Sequence, residues 1–333
     1  MDQEYTQQLS KIEKELERWL PENPDSAWAE QVFTSIGKEA DAESISFLLA
    51  PLRELVFRGG KRWRPLLMTL TCEALGGADA AVPLSPVVEF SHNASLIHDD
   101  IEDESDERRG KPAIHKIFGI DTAINSGSFF YFLASRCIED AEKNRDQYYK
   151  LWLECMRRLH LGQAMDINWH RNISTIPKTE DYYLMCRMKT GSLARLAAEL
   201  GSIAAGAPQE TVKQFGEAAD MMGIGFQILD DVKNLTTGIP GKKRGDDIVE
   251  GKKSLPVLLY MHKYPEKRDM VFYSFHVAKT EGTNAPEVDG LIDALGAAGV
   301  FDEAEEKGRF YLNEAQKVFG SYDLLNGFMK LIS

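Results

Sequence analysis

Cysteine is scarce in this chain: Cys72, Cys137, Cys155 and Cys186 are the only four in 333 residues, and they stand far apart. None forms the C-x-x-C pair of a metal knuckle, so the expected setting is reduced and cytoplasmic. No apolar run reaches the length needed to cross a bilayer. The opening stretch, MDQEYTQQLSKIEKELERWL, is acidic and amphipathic and lacks the basic and apolar regions of a signal peptide. Positive charge is also short, with 39 Lys and Arg against 52 Asp and Glu and a formal net charge of −13. That balance disfavours broad attraction to nucleic acid or an anionic membrane. An anion, if one binds, must be held in a local basic pocket. Strand-like alternation is rare, and neither an internal repeat nor a low-complexity segment is found.

What the chain does have is helical periodicity. Hydrophobic residues make up 43% and charged residues 27%, enough for a sizeable core. Leu9, Ile12, Leu16 and Leu20 repeat at three- and four-residue spacing until Pro21 and Pro24 end the stripe. Helices are expected near 43–58, 64–76, 84–104, 122–141, 145–170, 180–204 and 209–235. Further pieces are expected near 254–263, 286–298 and 301–328. Breaks fall at Gly59-Gly60, Gly76-Gly77, Gly110 to Pro112, Thr175 to Pro177, Gly206 to Pro208 and Gly238 to Gly245. Some helices, such as Leu193 to Ala205, are apolar on much of their circumference, which places them inside a bundle. No linker divides the chain. The expected fold is all-α, one domain over 1–333, a bundle of antiparallel helices.

Two acidic clusters stand at the ends of apolar helical stretches. In HDDIEDESDERR (98–109), Asp99 and Asp103 are four apart and share a helix face. Carboxylates so placed repel unless a cation lies between them. Carboxylate oxygens suit Mg²⁺, which prefers one or two carboxylates together with substrate phosphates. Arg108 and Arg109 follow, and guanidinium forks match phosphate oxygens. In GIGFQILDDVKN (223–234), Gln227, Asp230, Asp231 and Asn234 form one stripe of a second helix. Facing helices of this kind build metal sites inside bundles. Cations stand elsewhere: Lys61, Arg62 and Arg64 after Gly59-Gly60, Lys189 with Thr190, and Lys242, Lys243, Lys252 and Lys253 on a glycine-punctuated loop.

GGKRWRP, HNASLIHDDIEDESDERRG, GQAMD, KTG, FQILDDVKN and the glycine-lysine loop, in this order and spacing over about 50–260, resemble the trans-isoprenyl diphosphate synthases. HNASLIHDDIED with RRG, IFGI and DDVKN is similar to the fungal and animal geranylgeranyl diphosphate synthases. The resemblance implies an isoprenoid-synthase bundle around a deep central cavity. It also implies Mg²⁺-dependent condensation of isopentenyl diphosphate with dimethylallyl, geranyl or farnesyl diphosphate, and a homodimer. On these residues it implies that Asp99, Asp103 and Asp230 bind Mg²⁺, supported by Asp100 and Asp231. Arg108, Lys189, Thr190, Gln227 and Lys252, with Lys242 or Lys243, would hold the allylic diphosphate. Lys61, Arg64, His92 and Arg109 would hold isopentenyl diphosphate, and Gln163 and Asp166 would line the reaction centre. Asn234 departs from the commoner third aspartate, an exchange shared with the subgroup just named. Small residues at Ala94 and Ser95, four and five before Asp99, imply elongation past farnesyl, with Tyr131, Phe132 and His160 at the pocket floor. The expected product is geranylgeranyl diphosphate. The rival readings are a longer-chain synthase, a class I terpene cyclase and a non-catalytic subunit. Lys61, Arg64, His92 and Arg109 argue against the cyclase, which has no use for an isopentenyl diphosphate pocket.

Overall fold

The computed structural model describes residues 3–238 and 243–332, and among them helices dominate. The first acidic helix is Ser85–Glu102, with Pro86 in its first turn, where a missing N–H costs nothing. The second is Gln209–Thr236, which at 28 residues is about 42 Å long. Between them in sequence come Ile120–Glu139, Arg145–Arg171, Thr179–Cys186 and Ser192–Ala204. The second acidic helix is the spine. Its Val212, Phe215, Ala219 and Met222 enter one apolar core, and its Ile224, Ile228, Val232 and Leu235 enter another. It packs mainly on Ser192–Ala204 and on Val300–Phe319.

Three departures from the sequence expectation matter. The 180–204 segment is not one α-helix: Arg187–Gly191 forms a π-helical turn between two α-helical pieces. Such a turn inserts a residue and swings the side chains after it, and the ones it carries are Lys189 and Thr190. The 301–328 segment breaks into Val300–Phe319 and a last helix from Asp323. Helices at Ser26–Phe33, Ile114–Phe118 and Arg268–Glu281 were not anticipated. The first two are short. The third carries a legible stripe, Val271, Phe275 and Ala278, that is fully packed.

After the first acidic helix, Glu107–Arg108 pairs antiparallel with Lys111–Pro112. The turn between them is Arg109 and Gly110, both left-handed at φ 55° and 72°. Two left-handed central residues suit the right-handed twist of a tight hairpin. This small device sends the Arg108 and Arg109 side chains in different directions.

Candidate active site

The bundle encloses a cavity of about 1060 Å³. Both acidic helices deliver their carboxylates to it, Asp99 and Asp103 from one, Asp230 and Asp231 from the other. Asp99 accepts hydrogen bonds from Gln163 Nε2 at 3.0 Å, Lys189 Nζ at 3.0 Å and Arg108 Nη2 at 3.4 Å. Burial opposes its ionisation, but Lys189, Lys252 and Arg108 outweigh burial and hold the carboxyl well below the usual range. Asp103 accepts from Lys252 Nζ at 2.9 Å, yet burial outweighs that lysine and its pKa is raised. Lys189 Nζ also donates to Asp166 at 2.7 Å. These two carboxylates overcome its desolvation and hold it above the ordinary lysine range.

Asp100 is placed otherwise than expected of a metal ligand. It is fully buried, off the cavity wall, and accepts from Arg108 Nε at 2.8 Å and from Arg108 Nη2. A residue next to Asp99 on a helix points about 100° away, so Asp100 fixes the arginine instead. Burial pushes its pKa to about 6 despite that partner. On the opposite wall Thr190 Oγ1 donates to Gln227 Oε1 at 2.7 Å. Gln227 Nε2 donates to Asp231 at 2.9 Å, and Tyr182 OH donates to the same carboxylate at 2.6 Å. Burial, reinforced by Asp247, raises the Asp231 pKa. Asn234 also reaches the cavity, but its Oδ1 accepts the Asp247 backbone N–H at 3.2 Å. It thereby ties the glycine-lysine loop to the helix, a task an amide does without adding charge beside Asp231 and Asp247.

A second set of cations lines another part of the cavity. Arg64 Nη1 lies 3.3 Å from His92 Nε2, and Arg109 Nη1 donates to the Leu55 carbonyl at 3.0 Å. Among the described residues neither arginine makes an ion pair. Burial lowers the Arg64 pKa to about 10 and lowers that of Arg109 as well. His92 falls well below its ordinary value through burial and the charges of Arg64 and Arg109, so it is neutral near pH 7. Lys61 is exposed and outside this lining, and Arg62 turns inward to the core. Lys243 reaches the cavity, whereas Lys242 lies outside the described residues.

Below the carboxylates, Ser95, Leu96, Leu159 and Leu193 line the cavity; Ala94 is buried but off the wall. The Tyr131 ring lies 5.7 Å from that of His98 and 5.5 Å from that of His160, and all three line the cavity. Phe132, expected beside Tyr131 at the floor, is instead 68% exposed on the outer face of its helix. Adjacent helical residues point in different directions, so Tyr131 and Phe132 cannot both face in. Reasoning from sequence named Lys253 among the loop cations but gave it no role, whereas it is buried at the cavity and donates to the Trp169 carbonyl. Burial lowers its pKa to about 8. That reasoning missed Tyr182 and Glu102, whose carboxylate accepts from Gln163 at 2.6 Å. Glu102 was legible as part of DDIED; Tyr182 had no local signal.

Among the described residues no three His, Cys, Asp or Glu side chains converge closely enough to cage a metal unaided. Mg²⁺ keeps waters and shares phosphate oxygens with one or two carboxylates. The facing pairs Asp99–Asp103 and Asp230–Asp231 supply such oxygens.

The fold is that of the all-α prenyl synthases. A geranylgeranyl pyrophosphate synthetase from Geoglobus acetivorans superposes with a TM-score of 0.80 at 28% identity, over 98% of this chain and 96% of that one. The chain belongs to the polyprenyl synthetase family, whose family model matches residues 45–287, and it is a prenyltransferase. A geranylfarnesyl diphosphate synthase from Aeropyrum pernix is 35% identical over 79% of this chain and 84% of its own length. A geranylgeranyl pyrophosphate synthase from Penicillium ochrochloron is 31% identical over 87% of this chain and 79% of its own.

Two expectations follow from this geometry. The π-turn is gripped from both sides by glycines: a Cβ at Gly162 would meet Lys189 N at 2.5 Å, and one at Gly223 would meet Gly191 Cα at 2.5 Å. Gly162→Ala should therefore displace Lys189 and cut kcat by about 10²-fold, measured beside an unchanged circular dichroism spectrum. The second concerns His92. Below pH 6.5 the unfolded chain binds a proton that native His92 refuses, so stability is lost on acidification, by up to about 1.4 kcal/mol per pH unit. Urea unfolding at pH 6.5 and pH 5 should show a smaller loss for His92→Gln than for the natural chain.

Proposed function

We propose that the protein makes geranylgeranyl diphosphate, adding isopentenyl diphosphate head to tail onto dimethylallyl, geranyl or farnesyl diphosphate with Mg²⁺. The observation that carries this reading is the pair of unlike cation sets in one cavity. Lys189, Lys252 and Arg108 stand paired with carboxylates, while Arg64 and Arg109 stand without them. A cyclase acting on one diphosphate has no use for the second set.

Ligand entry would be an exchange of partners. Lys189 and Lys252 now neutralise Asp99 and Asp103. The lysines would pass to the diphosphate and the carboxylates would be left to hold a divalent cation, so no buried charge would be stranded. Asp99, Asp103 and Asp230, with Asp231 behind, would hold Mg²⁺, which would supply further neutralisation of the leaving diphosphate. Arg108 and Lys252 stabilise the same developing charge as the allylic C–O bond breaks. Arg64, Arg109 and neutral His92 hold isopentenyl diphosphate so that its double bond faces the allylic carbon. Gln163 and Thr190 both line the cavity, and their oxygens would stabilise the transient carbocation. A new C–C bond forms, and the proton lost from the adjacent carbon goes to the released diphosphate. The leucines below the carboxylates exclude water from the cation.

Product length is read from Ser95, a small side chain on the cavity wall, and from the Tyr131 and His160 rings, which in this reading form its floor. The relative from Aeropyrum pernix keeps a second reading in play, a longer product, and sizing separates the two. A homodimer is supported by Ile120, Ile124 and Phe132, which repeat along one helix and are each at least 46% exposed. Leu153 and Leu161 are likewise exposed on the next helix. Among the described residues no helix is long and apolar enough to cross a membrane. All four cysteines are free and buried, which suits the reducing cytoplasm in which this reading places the enzyme, as a single domain.

The test is incubation with labelled isopentenyl diphosphate, Mg²⁺ and each of the three primers. Incorporation ending at a twenty-carbon product is expected, and Asp99→Ala should lower it at least about 10²-fold. No incorporation with any primer overturns the reading. Tyr131→Ala should lengthen the product by one or more isoprene units, and an unchanged product would remove Tyr131 from the floor.

A further inference from the structure

Behind the unpaired arginines lies a carboxylate that the proposed chemistry does not use. Glu89 is 2% exposed, stands one turn before His92 on the first acidic helix, and is off the cavity wall. Its Oε1 accepts from Arg62 Nη1 at 2.9 Å and from Asn93 Nδ2 at 2.9 Å. Arg62 is 4% exposed and left-handed at φ 46°, at the N-cap of the Trp63–Ala74 helix. Its side chain thus runs inward, whereas that of Arg64, two residues on, meets the cavity. The remaining Arg62 N–H groups go to Glu13 at 2.7 Å and to the Val56 carbonyl at 2.6 Å. Glu89 is also the negative charge that does most to keep both Arg64 and Arg109 protonated against burial.

This puts one buried carboxylate among three guanidiniums, two of which must stay free to hold a diphosphate. Left unclaimed, Glu89 would pair with Arg64 or Arg109, and every incoming diphosphate would have to displace it. We infer that Arg62 is a positioning residue that claims Glu89, so that the carboxylate offsets the repulsion between Arg64 and Arg109 without occupying their donors. The inference rests on reading the Arg64–Arg109–His92 pocket as the isopentenyl diphosphate subsite. Two elements far apart in sequence are thereby recruited to that subsite, since Glu13 belongs to the Gln3–Trp19 helix.

Binding of isopentenyl diphosphate alone, measured by calorimetry, tests it on Arg62→Met, on the Arg62→Met/Glu89→Met double variant, on Glu89→Gln and on Arg64→Met. Arg62→Met should weaken binding at least about 10-fold while KM for the allylic substrate stays within about 2-fold. The double variant, which removes the competitor as well, should return to within about 3-fold of the natural chain. Glu89→Gln should bind as tightly or more tightly. A double variant as weak as Arg62→Met would make the role one of packing and overturn the inference, as would weakened binding by Glu89→Gln. Should Arg62→Met show no cooperative melt, the Glu89→Gln arm decides alone. Arg64→Met separates the layers: if it binds like the natural chain, the subsite reading itself fails; if it alone weakens binding, only the role of Arg62 fails.

Discussion

The Lys189 ammonium, shared between Asp99 and Asp166, is the contact on which the arrangement of the cavity depends. Three helical segments meet at that one nitrogen: the first acidic helix, the Arg145–Arg171 helix, and the π-turn. A buried lysine is unfavourable unless carboxylates surround it, and these carboxylates would repel each other without it. The charge pattern is thus self-consistent only when the three segments stand in this register. Thr190 extends the tie to the fourth wall through Gln227 and Asp231. The same nitrogen that organises the cavity is then the one a diphosphate oxygen would draw away.

Much of this was legible along the chain because acids and cations that end apolar helices are hard to explain as surface. The all-α class, the two acidic helices and their meeting at one cavity followed from periodicity and from residues such as Asp99, Asp103, Asp230 and Asp231. What stayed hidden depended on direction. Asp100 and Phe132 each sit one residue from a cavity residue and face elsewhere, a 100° rotation that a motif read as a string does not display. The π-turn was hidden for a related reason: a single inserted residue alters no composition and no apolar count, yet it re-aims Lys189 and Thr190. Tyr182 and Glu13 gained their roles from tertiary proximity alone.

The cation sets illustrate how identical side chains become different tools. Of the arginines at 62, 64, 108 and 109, Arg62 is saturated by two glutamates and a carbonyl. Arg108 is half committed to Asp100, while Arg64 and Arg109 meet only an imidazole and a carbonyl and pair with no carboxylate among the described residues. Burial acts on all four, so what distinguishes them is whether a carboxylate has been placed within reach. Net charge says nothing of this; the chain is acidic overall and still builds a pocket of unpaired guanidiniums.

The two-residue hairpin at Arg109-Gly110 has a consequence for how this chemistry could change. Because Arg108 and Arg109 are neighbours splayed by one left-handed turn, a single peptide unit would set the separation between the two diphosphates proposed to bind there. The hairpin is in that sense a ruler between electrophile and nucleophile. A residue inserted between them would change that separation in one large step, so the spacing resists gradual drift, whereas the rings near Tyr131 can be exchanged one at a time. Reach would be the quantity open to variation in such a scaffold, and the distance between the reacting ends the quantity held fixed.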